Sequence, residues 1–140
     1  MSQITGLLSI QGLSSFRNLG VSDVTPDAVN WPDAITFSTT TTTSMLQITG
    51  ITDSITLEIS WTGSATNTFA YSINSTAVYS QTAILTTSPT NITISNGQYL
   101  GFRLSGSIAA TRTVTVKNVS DNNTVLDTFY IQNDGGLGGG

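Results

Sequence analysis

The chain lacks the two residue types on which much enzyme and metal chemistry depends. Its 140 residues contain no cysteine and no histidine, and only 9% of them are charged. Without cysteine, disulfides, thiolate metal sites and thiol nucleophiles are excluded. Without histidine, a serine–histidine triad, a histidine-ligated metal and imidazole acid–base catalysis are excluded. We therefore expect a protein that is not an enzyme and that binds no cofactor and no metal.

Positive charge is scarce as well. Four Lys and Arg residues stand against eight Asp and Glu residues, which gives a formal net charge of −4. The cations are scattered along the chain at Arg17, Arg103, Arg112 and Lys117. Because no basic stripe can follow a phosphate backbone, we expect no nucleic-acid partner. A surface with so few charges has little to desolvate when it packs against another protein, which favours large, permanent protein contacts.

Long hydrophobic runs are missing too. No run approaches the ~20 apolar residues that a membrane helix requires, so we expect no membrane partner. The first residues, Met1 to Leu8, carry neither the basic region nor the long apolar region of a secretory signal peptide. The length suits one domain with its own core, and the remaining signals concern the architecture of that domain.

What the chain does contain is alternation of apolar and polar residues. From Ile55 to Trp61 every second residue is large and apolar, and Thr56, Glu58 and Ser60 occupy the positions between them. Because side chains of a strand point alternately to its two faces, this pattern predicts a half-buried strand with Trp61 in the core. The alternation recurs at Phe69/Tyr71/Ile73, Leu100/Phe102/Leu104 and Val114/Val116.

Short alternating segments separated by turn residues predict an all-β fold, a single antiparallel β-sandwich with no helix longer than two turns. The predicted strands are 34–38, 45–49, 54–62, 68–74, 77–79, 81–86, 91–95, 98–105, 112–118 and 124–131. Asn96-Gly97 is the strongest hairpin signal in the chain, and the run from Ser120 to Asn123 suits left-handed turn positions. The run from Thr39 to Thr43 is β-prone but carries no packing information.

The leading segment does not follow this alternation. We interpret residues 1–32 as an extended N-terminal arm, residues 33–133 as the sandwich and residues 134–140 as a glycine-rich tail. The glycines of the arm interrupt any helical stripe, so we expect no regular helix there. Its apolar content is too high for a solvated tail, so we expect another protein to cover it. The residues expected to contact that partner are Leu7, Leu8, Leu13, Phe16 and Trp31. For Trp31 an alternative is equally open, namely that it plugs one end of its own sandwich.

Three further groups of residues are candidates for a catalytic, calcium-binding or glycan-binding site. Glu58 with Asp53 does not make the facing carboxylate pair of a glycosidase, because the two are mid-strand and at a turn. The oxygens of Asp121, Asn122, Asn123 and Asp127 could gather calcium, but they lack the spacing of an EF-hand loop, and a hairpin turn explains them. Exposed tyrosines among Tyr71, Tyr79 and Tyr99 would suit a glycan-binding surface, although the sequence does not place them together.

Several segments resemble an immunoglobulin-like module. They are Ile48 to Ser60, Phe69 to Asn74, Ile94 to Ser105 with its Ser-Asn-Gly turn and outward Arg103, Thr113 to Val116 and Asp127 to Phe129. The module recurs in virion proteins of tailed phages and in some bacterial surface proteins, and the similarity covers roughly residues 46–131. It serves as a structural or adhesive unit without catalytic residues.

The resemblance and the apolar arm together imply a non-enzymatic virion structural protein of a tailed bacteriophage. The role that we expect is a capsid decoration or cement protein on the exterior of the virion. Its partners would be the major capsid protein or other virion subunits, and a homo-oligomer is also open. The alternatives are a tail, neck or fibre component, or a glycan-binding adhesive module.

Overall fold

Ten strands form two sheets that pack face to face. The computed structural model describes residues 22–63 and 66–135. The strands are β1 (Ala34–Thr36), β2 (Thr40–Thr42), β3 (Leu46–Gln47), β4 (Ile55–Trp61), β5 (Thr68–Asn74), β6 (Ala83–Leu85), β7 (Thr90–Ile94), β8 (Tyr99–Ser105), β9 (Ala110–Asn118) and β10 (Thr124–Asn133). One sheet has the order β1-β10-β9-β4-β7 and the other β2-β8-β5-β6, with β3 also paired to β8. The predicted all-β sandwich is confirmed.

One strand pair departs from the predicted antiparallel arrangement. β1 runs parallel to β10, with Ala34 beside Ile131 and Thr36 beside Asn133. After β1 the chain crosses at once to the other sheet, and the Thr41 hydroxyl of β2 donates a hydrogen bond to the Gln132 carbonyl at 2.7 Å. A purely antiparallel sandwich was therefore the wrong prediction at this edge. Among the described residues the first strand thus pairs with the last one.

The core lies between the sheets and consists of the residues whose alternation predicted it. Ile55, Leu57 and Ile59 of β4 are fully buried, and Leu100 and Phe102 face them from the other sheet. Burying one such side chain contributes about 1.5–3 kcal/mol. A core of this kind explains why the domain needs no disulfide.

The threonine run is more structured than its composition indicates. Thr40–Thr42 forms β2, and Thr41 and Thr43 are both buried. The Phe102 amide donates to the Thr43 hydroxyl at 2.9 Å, and the Thr43 amide donates to the Phe102 carbonyl at 2.9 Å. Each buried hydroxyl thus has a backbone partner, which removes the cost of burying it.

The Asn96-Gly97 turn does not form a hairpin. It joins β7 to β8, and these two strands lie in different sheets. Gly97 has a φ of +89°, and the Gln98 amide donates to the Ser95 carbonyl at 3.1 Å. Positive φ at the third turn position alone is the geometry of a type II turn, whereas a two-residue hairpin favours type I′ with positive φ at both central residues. The hairpin prediction was therefore wrong, although the turn prediction holds.

The turn between β9 and β10 does form a hairpin. Its turn contains a 3-10 helix at Val119–Asp121, followed by Asn122 and Asn123 at φ values of 55° and 58°. The predicted left-handed positions are confirmed, as is the absence of any helix longer than two turns among the residues that the structure describes. The predicted strand at 77–79 is wrong, because these residues belong to the loop between β5 and β6.

The segment from residue 22 to residue 33 packs along the sandwich. The Asp27 amide donates to the Thr49 carbonyl at 2.8 Å, and the Asn118 side-chain amide donates to the Val24 carbonyl at 2.7 Å. The part of the predicted arm that the structure describes thus bonds to the sandwich. Residues 1–21, with Leu7, Leu8, Leu13 and Phe16, lie outside the described residues.

Trp31 is the tryptophan of the core. It is 1% exposed, and its ring lies 5.8 Å from that of Phe102 and 5.7 Å from that of Phe129. Its indole nitrogen donates to the Leu100 carbonyl at 3.0 Å, and its amide donates to the Asp127 carboxylate at 2.6 Å. Trp31 is thus not available as a partner anchor, and the alternative that it plugs its own sandwich is correct.

Candidate functional site

An open pocket of about 350 Å³ lies at one end of the sandwich, where β4 ends and β5 begins. We refer to it as the end pocket. It is lined by Trp61, Gly63, Thr66, Asn67, Thr68, Phe69, Ile84, Leu85, Thr86 and Arg112. Both sheets contribute to its walls, because β4 and β9 belong to one sheet and β5 and β6 to the other.

Trp61 forms the aromatic wall of the end pocket. Its position in β4 directs the ring inward, and the ring meets that of Phe69 edge to face at 5.3 Å between centroids. The Trp61 amide donates to the Ser88 hydroxyl at 2.9 Å, which fixes the end of the strand. Because the strand ends at this residue, the ring is only partly buried. Trp61 packs against the core on the predicted face, but the fully buried tryptophan is Trp31.

Arg112 supplies a positive charge to the end pocket. In β9 it shares its face with Val114 and Val116, and it is only 4% exposed. One terminal guanidinium nitrogen donates to the Asn67 carbonyl at 3.4 Å. Burial lowers the pKa of Arg112 from its usual value, but a guanidinium remains protonated in proteins. Sequence reasoning treated Arg112 as one of four scattered cations and missed that it shares the inward parity of the two valines.

Asn67 holds the floor of the end pocket in place. Its side-chain amide donates to the Ile108 carbonyl at 2.5 Å and to the Asn133 side-chain oxygen at 2.9 Å. Gly106 packs so closely that a Cβ there would lie 2.2 Å from the Asn67 side-chain oxygen. These contacts join β5, the loop before β9 and the end of β10, so the pocket floor is built before any ligand arrives.

Gly63 closes the rim beside Arg112. It has a φ of +109°, and a Cβ at this position would lie 2.4 Å from the Thr111 carbonyl oxygen. Both the backbone conformation and the close approach require glycine. The end pocket thus combines an aromatic wall and several threonine hydroxyls with a buried cation and a side-chain amide that are bonded within the protein.

A second surface feature is an apolar patch on the outer face of the β1–β10 edge. Ile35 is 48% exposed and Phe37 is 73% exposed, and Tyr130 on the neighbouring strand is also exposed. Ile35 pairs with Gln132, so Tyr130 is its diagonal neighbour on the same face. We refer to Ile35, Phe37 and Tyr130 as the edge patch. Single exposed apolar residues are ordinary, but adjacent ones mark contact surfaces.

The three tyrosines considered for a glycan surface do not act together. Tyr71 packs against the core. The guanidinium carbon of Arg103 lies over the ring of Tyr79, 4.1 Å from the ring centroid. The Tyr79 hydroxyl is buried and makes no hydrogen bond. Its burial raises the pKa of Tyr79 to about 12, against the opposing effect of Arg103.

The acidic residues considered for catalysis and calcium binding have other contacts. Asp53 accepts a hydrogen bond from the Ser22 hydroxyl, and Glu58 lies between Lys117 and Asn91 in the sheet. Asp121 accepts a hydrogen bond from the Thr25 hydroxyl at 3.0 Å. Within residues 22–63 and 66–135, no three His, Cys, Asp or Glu residues are grouped to hold a metal ion. In the same ranges no helix is both long enough and apolar enough to cross a membrane.

Comparisons with known proteins give little more than the fold. No protein-family model matches the chain, and no curated protein matches it. Among solved structures, the N-terminal domain of PorA is similar over 80% of this chain and 91% of that one, with 12% identity and a TM-score of 0.34. A similarity at this level is distant.

Proposed function

We propose that this chain is a non-enzymatic structural protein of a tailed-bacteriophage virion, and specifically a decoration protein on the capsid exterior. The support from sequence is the resemblance to the immunoglobulin-like module of phage virions, together with an apolar leading segment and a surface of few charges. The attachment segment is residues 1–21, with Leu7, Leu8, Leu13 and Phe16 as its anchors. Trp31 is not one of these anchors, because it is buried in the core of the sandwich.

The observation that carries the proposal is the edge patch. Ile35 and Tyr130 are exposed apolar neighbours on the outer face of a sheet whose other outward residues are mainly hydroxyl-bearing, such as Thr113 and Thr115. The exposed Phe37 follows directly after β1. A neighbouring subunit that covered this patch would bury apolar surface without desolvating charges. The leading segment and the edge patch are two separate contacts. Repeated around a shell, such weak contacts become collectively strong.

The position on the virion is tested by immunogold electron microscopy. Antibodies are raised against residues 22–135 and applied to purified particles of a phage that encodes the chain. Many labels distributed over the head, with a copy number in the hundreds by quantitative mass spectrometry, are the expected result. Label confined to the neck, tail or fibres would assign the chain to the alternative structural role. Particles without any label would refute the virion proposal.

The role of residues 1–21 is tested by adding purified protein to capsids that lack it. A chain that begins at Ser22 retains the packing of residues 22–33 and should keep its far-UV circular dichroism while losing capsid binding. A second variant replaces Leu7, Leu8, Leu13 and Phe16 by serine at full length and should bind as poorly. The matched control is Val78→Ser, which removes an exposed apolar residue outside the edge patch. Full occupancy by both test variants would show that the leading segment is not the anchor.

A further inference from the structure

We infer that β7 is the interface of a homodimer, in which this strand pairs antiparallel with β7 of a second copy of the chain. The pairing would join the β1-β10-β9-β4-β7 sheets of the two copies edge to edge. The register that we infer places Asn91 opposite the partner's Thr93, with Ile92 opposite the partner's Ile92. The inference does not rest on the capsid proposal, and the edge patch lies at the opposite edge of the same sheet.

β7 is an edge strand without the features that keep strand edges from pairing. Among the described residues it pairs only with β4. Its sequence, from Thr90 to Ile94, contains no charge and no proline, and its register with β4 contains no bulge. Charges, prolines, bulges and short length are what normally protect such an edge. The edge strands β1, β2 and β6 have three residues each, whereas β7 has five.

The hydrogen bonds of β4 determine which backbone groups of β7 face outward. Directly after β4, the Thr62 amide donates to the Thr113 carbonyl at 3.0 Å. Because the direction of the backbone groups alternates along a strand, even-numbered residues of β4 face β9 and odd-numbered residues face β7. The partners of those odd-numbered residues are Thr90, Ile92 and Ile94. Asn91 and Thr93 consequently direct their N–H and C=O groups to the open edge.

The residues on either side of β7 favour one two-fold register. Pro89 has no N–H, so a pairing shifted toward it would lose a donor. At the other end the Ser95 amide donates to the Gln98 side-chain oxygen at 2.8 Å, and the Gln98 amide donates to the Ser95 carbonyl at 3.1 Å. A pairing shifted that way would meet groups that are already bonded. With Asn91 opposite the partner's Thr93, every outward N–H and C=O of both residues is paired.

The side chains along this register suit a second copy. Asn91 and Thr93 are exposed and uncharged, so each outward pair brings a side-chain amide beside a hydroxyl. Ile92 lies on the inner face with 6% of its surface exposed, and the partner's Ile92 would cover the remainder. The neighbouring charge in the sheet is Glu58, beside Asn91. The two Glu58 carboxylates would lie three strand spacings apart, about 14 Å, which exceeds the ~8 Å Debye length at physiological salt. Charge repulsion therefore does not oppose the pairing.

Sedimentation equilibrium of the full chain tests the inference. A seam of one short strand is smaller than a standard interface of ~1,600 Å², so we expect a weak dimer with a dissociation constant of about 0.1 mM. Hydrogen exchange measured by NMR locates the seam. The Asn91 and Thr93 amides should exchange severalfold more slowly as the protein is concentrated, whereas the Ile92 amide, which faces β4, should not change.

Charge variants test the register. Asn91→Lys combined with Thr93→Lys places like charges opposite each other and should weaken dimerisation at least tenfold. Asn91→Asp combined with Thr93→Lys places an acid opposite a base across the seam and should keep the dimer. The matched control, Thr111→Lys combined with Thr113→Lys, adds two positive charges at exposed positions of β9 and should dimerise as the wild type does.

Three results would overturn the inference. They are a chain that stays monomeric up to about 1 mM, tenfold above the expected constant, a two-lysine β7 variant that dimerises normally, and equal loss of the dimer in both β7 variants. Exchange at Asn91 and Thr93 that slows only when a different protein is added would assign the edge to that protein and not to a second copy. If the two-lysine variant fails to fold by circular dichroism, the wild-type exchange and the acid–base variant still decide. These experiments use the isolated protein and are independent of the capsid experiments.

Discussion

Replacing Trp31 is the most direct test of the packing of residues 22–33. Trp31→Ala removes a side chain that is enclosed by Phe102 and Phe129. Deleting a buried tryptophan in this way costs about 3–5 kcal/mol, because apolar contacts are lost and a cavity remains. The change also leaves the buried Leu100 carbonyl without its indole donor. Trp31→Phe should retain part of the packing but still lose that hydrogen bond, at a cost of about 1–3 kcal/mol.

Equilibrium unfolding in urea measures these costs. With a slope of about 2 kcal/mol per molar urea, a loss of 4 kcal/mol lowers the midpoint by roughly 2 M. The matched control is Trp61→Ala, which removes the same side chain from the half-buried wall of the end pocket. It should cost clearly less than Trp31→Ala, since the Trp61 ring already has solvent on one side.

The result that would refute the reasoning is a small effect of Trp31→Ala. A loss below about 1 kcal/mol is typical of an exposed residue and not of a core one. It would mean that Trp31 does not fill the space between the sheets. The original interpretation of an arm as long as residue 32, with Trp31 free to contact a partner, would then be restored.

Substitutions at three other positions test separate features of the fold. Tyr79→Phe should be neutral or slightly stabilising, because it removes a buried hydroxyl that makes no hydrogen bond, whereas Tyr79→Ala should destabilise by losing the Arg103 contact. In an ultraviolet titration Tyr79 should ionise near pH 12, because burial raises its pKa. Since its folded pKa exceeds the unfolded value of 10, its contribution to stability is complete below pH 10 and is lost between pH 10 and 12, and Tyr79→Phe should remove that decline. Asn123→Val should cost about 1–2 kcal/mol at its φ of 58°, while Asn123→Gly should cost little; equal losses for both would contradict the backbone explanation. Gly63→Ala should destabilise the chain, because a Cβ there would lie 2.4 Å from the Thr111 carbonyl oxygen, and thermal unfolding would detect the loss.

Alternation was enough to locate the central strands. The predicted 68–74 coincides with β5, and the predicted 54–62 exceeds β4 by one residue at each end. In these segments the apolar residues of one face must be buried, so a shift by one residue would expose all of them. β1, β3 and β6 are shorter than predicted, as at Leu46–Gln47, because they have fewer neighbours to continue the pairing.

The two tryptophans show where local pattern stops being informative. Trp61 stands in a perfect alternation, yet it is the last residue of its strand and faces an opening. Trp31 stands beside Pro32 with no alternation, yet it contacts residues 69 to 98 positions away in the chain. Which tryptophan fills the core depends on how the chain returns over the sandwich, and no property of nearby residues encodes that path. The same limit applies to Asn96-Gly97, whose turn chemistry does not specify whether the next strand stays in the same sheet.

Arg112 is a different case, because the signal was present in the sequence. Its parity with Val114 and Val116 places it on the inner face of β9, but its charge suggests an outward position. Where pattern and chemistry disagree in this way, the conflict itself points to a special environment. Here the environment is the mouth between two sheets, where an inward residue reaches a pocket and not the dense core.

Ser22 and the end pocket lie at opposite ends of the sandwich. The Ser22 hydroxyl donates to Asp53, just before β4 begins, whereas Trp61 stands at the last position of β4. A strand of this length spans roughly 20 Å, so the described chain starts at one end of the sandwich and the end pocket opens at the other. A body held through residues 1–21 would therefore direct the end pocket away from its support, with the edge patch on its flank.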